Sequence, residues 1–531
     1  MVKHGDTIDS VFRKTALQYS EKVALIFQEK RITFSELDKQ VDKIAGVLGD
    51  RGVGKGEMVI IYLPHMPEWV VIWLALQRIG AVAVPVTHFY GHEELGYIVQ
   101  DCGAGTIFCS NKNIDQVLKA SSKYRLASII VVGDRAEFKK PPGMESTEIF
   151  ALDDLLKGQS SPPPQVEIDG RDVAEIIYTG GTTGFPKGVP IKHVLFLDTI
   201  NGTRKAVESI IPRTKAITVQ GAPLNHILGQ DLGLGSILSG DTLIILPKLD
   251  LDEFLFTVDK YQATTLFGTP TFFKMVLDHG KINDYSLKSV LYAVCAGEAL
   301  PNETQKRWTE KVGRPLYSIY GATETCGLVS GVTVGEQAPP GTIGKIVPTK
   351  QVKLINPDTL EPVQVIEPGE LLVSSENMVT AYWNKPEETS RHFIPLEDKI
   401  WYKTGDIVRM DEQGWLFFVD RSVDLIKHKG YRVAATRVEA SLLKHPAVAE
   451  CCAVGVLDGN VGEKIKAFVV LKKDVTVDEL IKLCSESLAT YEVPHYIEFR
   501  DTLPKSPVGK LLRKKLRDEE RQKQNSADSH S

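Results

Sequence analysis

Eleven residues, Tyr178 to Gly188, read YTGGTTGFPKG and hold four glycines, three threonines, one proline and one lysine. Glycines let backbone N–H groups approach an anion closely, threonines add hydroxyl donors, and Lys187 adds a point charge. That is the chemistry of a loop that holds a polyphosphate. A Gly/Thr-rich surface turn is the plainer alternative for this segment alone. The ordinary phosphate loop, G-x-x-x-x-G-K-[ST], does not fit, because Lys187 follows Pro186 and Gly188 stands where the Mg2+-binding hydroxyl belongs. Further along, Glu324 in YGATE, Asp406 in YKTGD and His226 in APLNHILG could also carry chemistry. Taken singly, the two acids read as solvated carboxylates and the histidine as a hydrogen-bonded core residue.

Such a loop must hang from a strand, and the apolar run Ala174, Ile176 and Ile177 supplies one. Leu37, Val41, Ile44, Ala45 and Leu48 form one helix face, with Ser35 as N-cap and Asp38 three residues on. Met58–Tyr62, Ala81–Val84 and Ser128–Val132 read as buried strands, and Trp69–Ile79 as a helix. Repeated strand–helix–strand units predict a mostly parallel sheet covered by helices. Ser161–Gln165, SPPPQ, reads as a connector. After about Val352 the pattern turns to shorter strands, such as Glu370–Val373 and Trp415–Val419, which predict a separate antiparallel layer. The last hundred or so residues read as a small α+β unit. It has a helix over Val438–His445, strands over Val448–Val456 and Lys466–Leu471, and a capping box from Thr476 and Glu479. The tail from Arg521 reads as disordered.

At 531 residues the chain exceeds one ordinary domain. A net charge of −5 gives no argument for nucleic acid. The basic run near Arg513, followed by acids, reads as a solvated helix. Seven cysteines without CxxC spacing predict reduced thiols and a cytoplasmic setting. Cys451 and Cys452 sit in strand-like surroundings, with at least one in the core. The N-terminus lacks the apolar run of a signal peptide, and Trp69–Val86 is broken by Gln77, Arg78 and Pro85, so no integral membrane segment is expected.

The order Thr/Gly cluster then Pro-Lys-Gly resembles the signature loop of the acyl- and aryl-adenylating enzymes, which include acyl-CoA synthetases, aryl-CoA ligases, peptide-synthetase adenylation domains and beetle luciferases. The resemblance recurs in order from about Thr33 to Arg513. It implies that Thr179, Gly180, Gly181, Thr182, Thr183, Gly184 and Lys187 hold ATP phosphates, with Gly180 standing where the family usually has serine. Leu224, Asn225 and His226 resemble a further motif, Asn225 replacing the aromatic residue often found there. Gly297, Glu298 and Ala299 resemble the turn that contacts adenine. Tyr320, Gly321, Ala322, Thr323 and Glu324 match YGxTE, which implies phosphate binding by Thr323 and Mg2+ ligation by Glu324. A carboxylate suits Mg2+, which takes few protein ligands beside phosphates and water. Asp406 and Arg421 match the ribose contacts, and an aspartate can accept from two vicinal hydroxyls. Asp420–Arg432, DRSVDLIKHKGYR, resembles the hinge, with Val423, Ala435 and Arg437 departing from the usual residues. Lys427 matches a position near the nucleotide phosphates, and Lys429, Gly430 and Arg432 match the approach of coenzyme A. Leu503–Arg513, LPKSPVGKLLR, resembles the motif whose lysine after glycine is catalytic, here Lys510.

These matches imply an α/β protein with an N-terminal AMP-binding domain over residues 1–420. Its parallel-rich sheets are covered by helices, with a small β-barrel-like layer, and a mobile α+β C-terminal domain follows over 421–531. They also imply two steps. A carboxylate attacks the α-phosphate of MgATP to give an acyl-adenylate, with Lys510 stabilising the developing charge. The small domain then turns, and a coenzyme A thiol expels AMP. His226, Gly229, Phe267, Val294 to Ala296 and Ile319 are the expected walls of the acyl pocket, which favours a compact uncharged acid: aromatic, alicyclic or short-to-medium aliphatic. His226 argues against an α-amino acid, since peptide-synthetase domains carry an aspartate near that place. Loading of a carrier protein is the main alternative acceptor, although no carrier domain follows Lys510. A luciferase-like oxygenase is weaker, the chain ending Ser-His-Ser, and a non-catalytic nucleotide sensor would not need Lys510 and Glu324. The expected assembly is a monomer or homodimer.

Overall fold

The computed structural model describes residues 5–133, 145–158, 161–179, 185–357, 359–364, 366–421, 424–428, 431–458, 462–505 and 511–528. The chain packs as two compact units, one of residues 1–352 with 373–402, the other of residues 353–372 with 403–531. These units record which residues pack together. The expected boundary at 420/421 concerns which parts move together.

In the first unit, a seven-stranded sheet runs Glu148–Ala151, Ser128–Val132, Thr106–Ser110, Met58–Tyr62, Val82–Pro85, Val173–Thr179, Lys187–Lys192. All its pairings are parallel except the last, the hairpin that carries the Gly/Thr loop. A nine-stranded sheet runs Lys345–Ile346, Gly327–Gly331, Leu316–Ala322, Tyr292–Cys295, Thr265–Gly268, Ile217–Val219, Thr242–Ile245, Val23–Phe27, Lys30–Thr33. Its middle strands, from Leu316–Ala322 to Val23–Phe27, are parallel to one another. The predicted parallel-rich, helix-covered architecture is therefore present.

Helix Pro67–Ile79 shows why the longest apolar stretch stays inside. It begins with proline at its first position, ends on Gly80 at φ +70°, and is buried at every position but Glu68. Its polar breaks find partners within the unit. Gln77 donates to the Ala174 carbonyl at 3.3 Å, and the Arg78 guanidinium meets Asp9, Asp38 and Asp42 at 2.9, 2.7 and 2.8 Å. Among the described residues no helix is long and apolar enough to cross a membrane.

The antiparallel layer expected after Val352 is a five-stranded sheet of Gln351–Ile355, Gly369–Ser374, Phe393–Leu396, Lys399–Met410 and Leu416–Arg421. In the second unit a further sheet joins Tyr431–Ala434, Leu425–His428, Gly462–Leu471, Val448–Asp458 and Tyr496–Phe499 around helices Ala435–Leu442 and Val477–Ser487. The Thr476–Glu479 capping box is formed, and both Cys451 and Cys452 are buried thiols.

Three expectations are corrected. The first helix cap is Thr33 rather than Ser35. Thr33 ends a strand in extended conformation, its hydroxyl accepts from the Glu36 N–H at 3.2 Å, and its own N–H donates to the Glu36 carboxylate at 2.8 Å. As far as Asp528, the last described residue, the tail continues helix Arg513–Asp528, since Lys, Arg, Glu and Gln are good helix formers and Lys523 pairs with Glu520 at 2.7 Å. Nor is the basic run fully solvated. Arg513 meets Asp424 at 2.8 Å and Glu439 at 2.7 Å, Arg517 also meets Asp424, and Leu516 is buried.

Candidate active site

Adjacent parallel strands of the nine-stranded sheet deliver the motif residues in turn at their C-terminal ends. Ile217–Val219 leads to His226, Thr265–Gly268 carries Phe267, Tyr292–Cys295 leads to Ala296 and Gly297, and Leu316–Ala322 leads to Thr323 and Glu324. The carboxyl edge of such a sheet is where ligands bind in open α/β folds.

Thr323 and Glu324 lie buried in a tight turn between two antiparallel strands. The Ala322 N–H donates to the Thr325 hydroxyl at 3.2 Å, and that hydroxyl lies 2.9 Å from the carbonyls of both Ala322 and Gly327. Glu324 accepts from the Tyr382 hydroxyl at 2.8 Å. Burial and the nearby Glu324 charge push the Tyr382 and Tyr402 phenols up, so both stay protonated donors. Lys187 joins the same group. It pairs with Glu388 at 2.8 Å, sits 3.4 Å from the His392 Nε2, and lies 4.9 Å from the centre of the Tyr382 ring. The Lys187 hydrogen bond holds Glu388 below the usual carboxylate range. Tyr382 thus connects the lysine of the Gly/Thr loop to the glutamate of YGATE.

Thr179 and Lys187 are cross-strand partners that close the base of the loop. Gly180, Gly181, Thr182, Thr183 and Gly184 lie outside the described residues, as do Lys429, Gly430 and Lys510. The next residue, Phe185, stacks on Tyr97 at 4.5 Å. In the expected adenine turn, Gly297 has φ +86°, which favours glycine. Glu298 accepts from the Thr271 hydroxyl at 2.7 Å, at the start of helix Pro270–Asp278; Ala299 is exposed, as is Gly321.

Phe267, Ala296 and Ile319 belong to one apolar cluster with Leu228, Leu232, Tyr292, Val294 and Tyr317. Leu228, Leu232, Tyr292 and Tyr317 are not among the expected walls, since nothing local in the sequence joins them. His226 is exposed and caps the following helix, its Nδ1 accepting from the Leu228 N–H at 3.2 Å. Gly229 does not open space for an acyl group in the direction of its missing side chain. A Cβ there would lie 2.0 Å from the Pro223 carbonyl oxygen, so backbone fills that direction.

The second unit brings its two expected ribose residues together. Asp406 and Arg421 are cross-strand partners, with the Arg421 Nε 3.1 Å from the Asp406 carboxylate. Asp406 is held by the Thr404 hydroxyl, which accepts its N–H at 3.1 Å and donates to the Leu371 carbonyl at 2.8 Å. Asp420 accepts from the Arg421 and Thr436 N–H groups at 2.7 and 3.2 Å, and burial raises its pKa. Lys427 is exposed on a hairpin strand opposite Arg432, its N–H donating to Glu463 at 2.7 Å. Tyr382, Glu388 and His392 lie outside every motif visible in the sequence. The only signal was AYWNKPEETSRHF, in which proline followed by two acids marks a helix start.

Residues 12–383 match the model of the AMP-binding enzyme family, and residues 437–510 match that of the AMP-binding enzyme C-terminal domain. A long-chain-fatty-acid–CoA ligase of Bacillus subtilis is 30% identical over 97% of this chain and 94% of its own. Among solved structures, an anthranilate CoA ligase in complex with anthranoyl-AMP shares 25% identity at TM-score 0.88, covering 99% of each chain. The o-succinylbenzoate coenzyme A synthetase of Bacillus subtilis, in complex with ATP and magnesium ion, shares 25% at TM-score 0.81, covering 95% of this chain and 98% of its own. The chain belongs to the AMP-binding enzyme family. It is an AMP-forming acid–thiol ligase, a class of enzyme whose co-substrates are ATP with Mg2+ and coenzyme A.

Proposed function

We propose that the chain activates a compact uncharged carboxylic acid as its acyl-adenylate and passes the acyl group to coenzyme A. The observation that carries the adenylation half is the buried Thr323–Glu324 turn joined through Tyr382 to Lys187. The donor chemistry there fits Mg2+: one carboxylate, anchored through one oxygen by a phenol, suits an ion that keeps waters and substrate phosphates as its other ligands. Glu324 would hold it, and when bound it supplies charge neutralisation on the phosphates.

The chain's own residues do the rest. Lys187 and the Gly/Thr loop bind phosphate oxygens, Thr323 adds a hydroxyl, and Asp406 with Arg421 grips the ribose. Lys510 stabilises charge building at the α-phosphate during adenylation. After adenylation the segment beyond Asp420 turns about a pivot near Arg421, which withdraws Lys510 and brings Lys429 and Gly430 into use for coenzyme A. What supports a compact acid is the bulk of the cluster behind Ala296 and Ile319, where the rings of Phe267, Tyr292 and Tyr317 are buried. Coenzyme A as acceptor is supported by IKHKGYR and by the ligases to which the chain is similar. The assembly, monomer or homodimer, and the cytoplasmic setting belong to the same reading.

The test is a panel of carboxylates, from acetate to palmitate and including benzoates and alicyclic acids, assayed for pyrophosphate release and thioester formation. Compact acids should turn over fastest, and a maximum at palmitate would overturn the substrate reading. In parallel, Lys510→Ala should lose adenylation by at least about 100-fold while keeping thioester formation from supplied acyl-adenylate. Equal loss of both halves would sink the two-conformation mechanism.

A further inference from the structure

Beneath the turn that carries Thr323 and Glu324 lies a set of buried polar and ionisable side chains to which the adenylation chemistry gives no role. Lys350, in the turn before strand Gln351–Ile355, donates from Nζ to the Thr325 carbonyl at 2.8 Å and lies 3.4 Å from the Ser375 hydroxyl. Thr199, on helix His193–Val207, donates to the Cys326 carbonyl at 2.9 Å. Asp231 comes from the π-helical turn Gln230–Leu234 and presses its carboxylate on Gly327, where a Cβ would lie 1.9 Å from Oδ2. Three separate elements therefore converge on three consecutive residues just after Glu324.

That turn needs holding. Cys326 has φ +53° and Gly327 φ +81°, and a side-chain-bearing residue in the left-handed region persists only where its surroundings fix it. The means of fixing are themselves costly. Burial drives the Asp231 carboxyl well above the ordinary range, with Glu175 adding to the effect and Lys350 opposing it. Burial also lowers the Lys350 ammonium against the pull of Cys326 and Asp231. Apolar residues of similar size commonly stabilise an interior at least as well as buried ionisable groups do, so stability is a poor reason for these two.

We propose that Lys350 is a positioning residue for adenylation: with Asp231 packed on Gly327, it fixes the Thr325–Gly327 turn so that Glu324 is presented to Mg2+ in one orientation. This rests on the reading of Glu324 as the Mg2+ residue. Asp231 seats Gly327, and Thr199 holds the middle carbonyl.

The test compares Lys350→Met/Asp231→Asn, which removes both ionisable groups together, with Thr199→Val, which removes one donor without burying a charge, and with Glu324→Gln as reference. Binding of a non-hydrolysable ATP analogue is measured by calorimetry over a range of Mg2+ concentrations, with pyrophosphate release and thermal midpoints alongside. The double variant should need about 10-fold more Mg2+ or beyond for half-maximal analogue binding, and Thr199→Val a smaller increase. The KM for the acid should stay unchanged in both. Wild-type Mg2+ dependence in Thr199→Val and in the double variant, with Glu324→Gln impaired, would overturn the positioning role. If the double variant does not fold, the Mg2+ dependence of Thr199→Val decides alone. Wild-type Mg2+ dependence in Glu324→Gln would remove the reading beneath it, and the positioning role with it.

Discussion

Tyr382 carries more of the site than its place in the sequence suggests. Its hydroxyl donates to Glu324, while its ring lies under the Lys187 ammonium and packs edge-on against Phe393 at 5.3 Å. A cation over a ring face and a phenol on a carboxylate are separable interactions. Tyr382→Phe keeps the first and deletes the second. Adenylation should fall about 10-fold with the KM for the acid unchanged, and unfolding free energy should drop by roughly 1–2 kcal/mol. Pyrophosphate release and urea titration check the two parts. A variant with wild-type turnover would show that Glu324 is oriented without the phenol. At this scale the sequence displayed the groups that do chemistry, because Glu324, Asp406 and Lys187 sit inside recognisable motifs. It did not display their holders. Glu388 lies 201 residues from Lys187 along the chain, and no local pattern announces that pair.

Elements were legible wherever periodicity or capping decides them. Strands Met58–Tyr62 and Ser128–Val132 and the Thr476–Glu479 capping box stand where the residue pattern puts them. The helix after His226 was harder. It runs Ile227–Gly229, then the π-helical turn Gln230–Leu234, then Gly235–Leu238. π-turns of this kind interrupt α-helices and are frequent at functional sites. No spacing rule marks them, because they arise from what packs on either side: Asp231 against Gly327 on one, Leu228 and Leu232 in the apolar cluster on the other. Gly229 is the tight point, with the Pro223 backbone filling the space of a side chain. Gly229→Ala should therefore cost about 1–3 kcal/mol, since backbone cannot step aside as a side chain can. It should also raise the KM for the acid by shifting Leu228 and Leu232, while the KM for ATP stays. Denaturant titration and steady-state kinetics read these out, and an unchanged stability would mean the Ala222–Pro223 segment yields freely.

Over the whole molecule, the sequence gives the order of the motifs but not their adjacency, which comes from parallel strands whose C-terminal ends share one sheet edge. Such register is set by long-range pairing that no local window contains. The same burial that brings these strands together leaves ionisable groups away from water, and they tie stability to pH in opposite senses. Glu175, buried against the Trp73 indole, is pushed up to about 7, so its contribution is present below the ordinary glutamate range and fades as pH rises through 7. His193 works the other way. It opens helix His193–Val207 and its Nδ1 accepts from the Ile8 N–H at 3.3 Å. Burial lowers its pKa to about 4, against the favourable charges of Asp172 and Asp9, with Lys55 assisting the fall. A base depressed below its unfolded value of 6.5 contributes stability that is present above 6.5 and lost as pH falls toward 4. The loss between pH 7.5 and 5 should be about 2 kcal/mol for this one group. His193→Gln keeps a neutral acceptor and removes the titration. Its unfolding free energy, followed from pH 7.5 to 5, should fall by about 2 kcal/mol less than that of the parent chain. Parallel pH curves for the two proteins would show that His193 ionises in place and that its bond to Ile8 does not depend on the neutral ring.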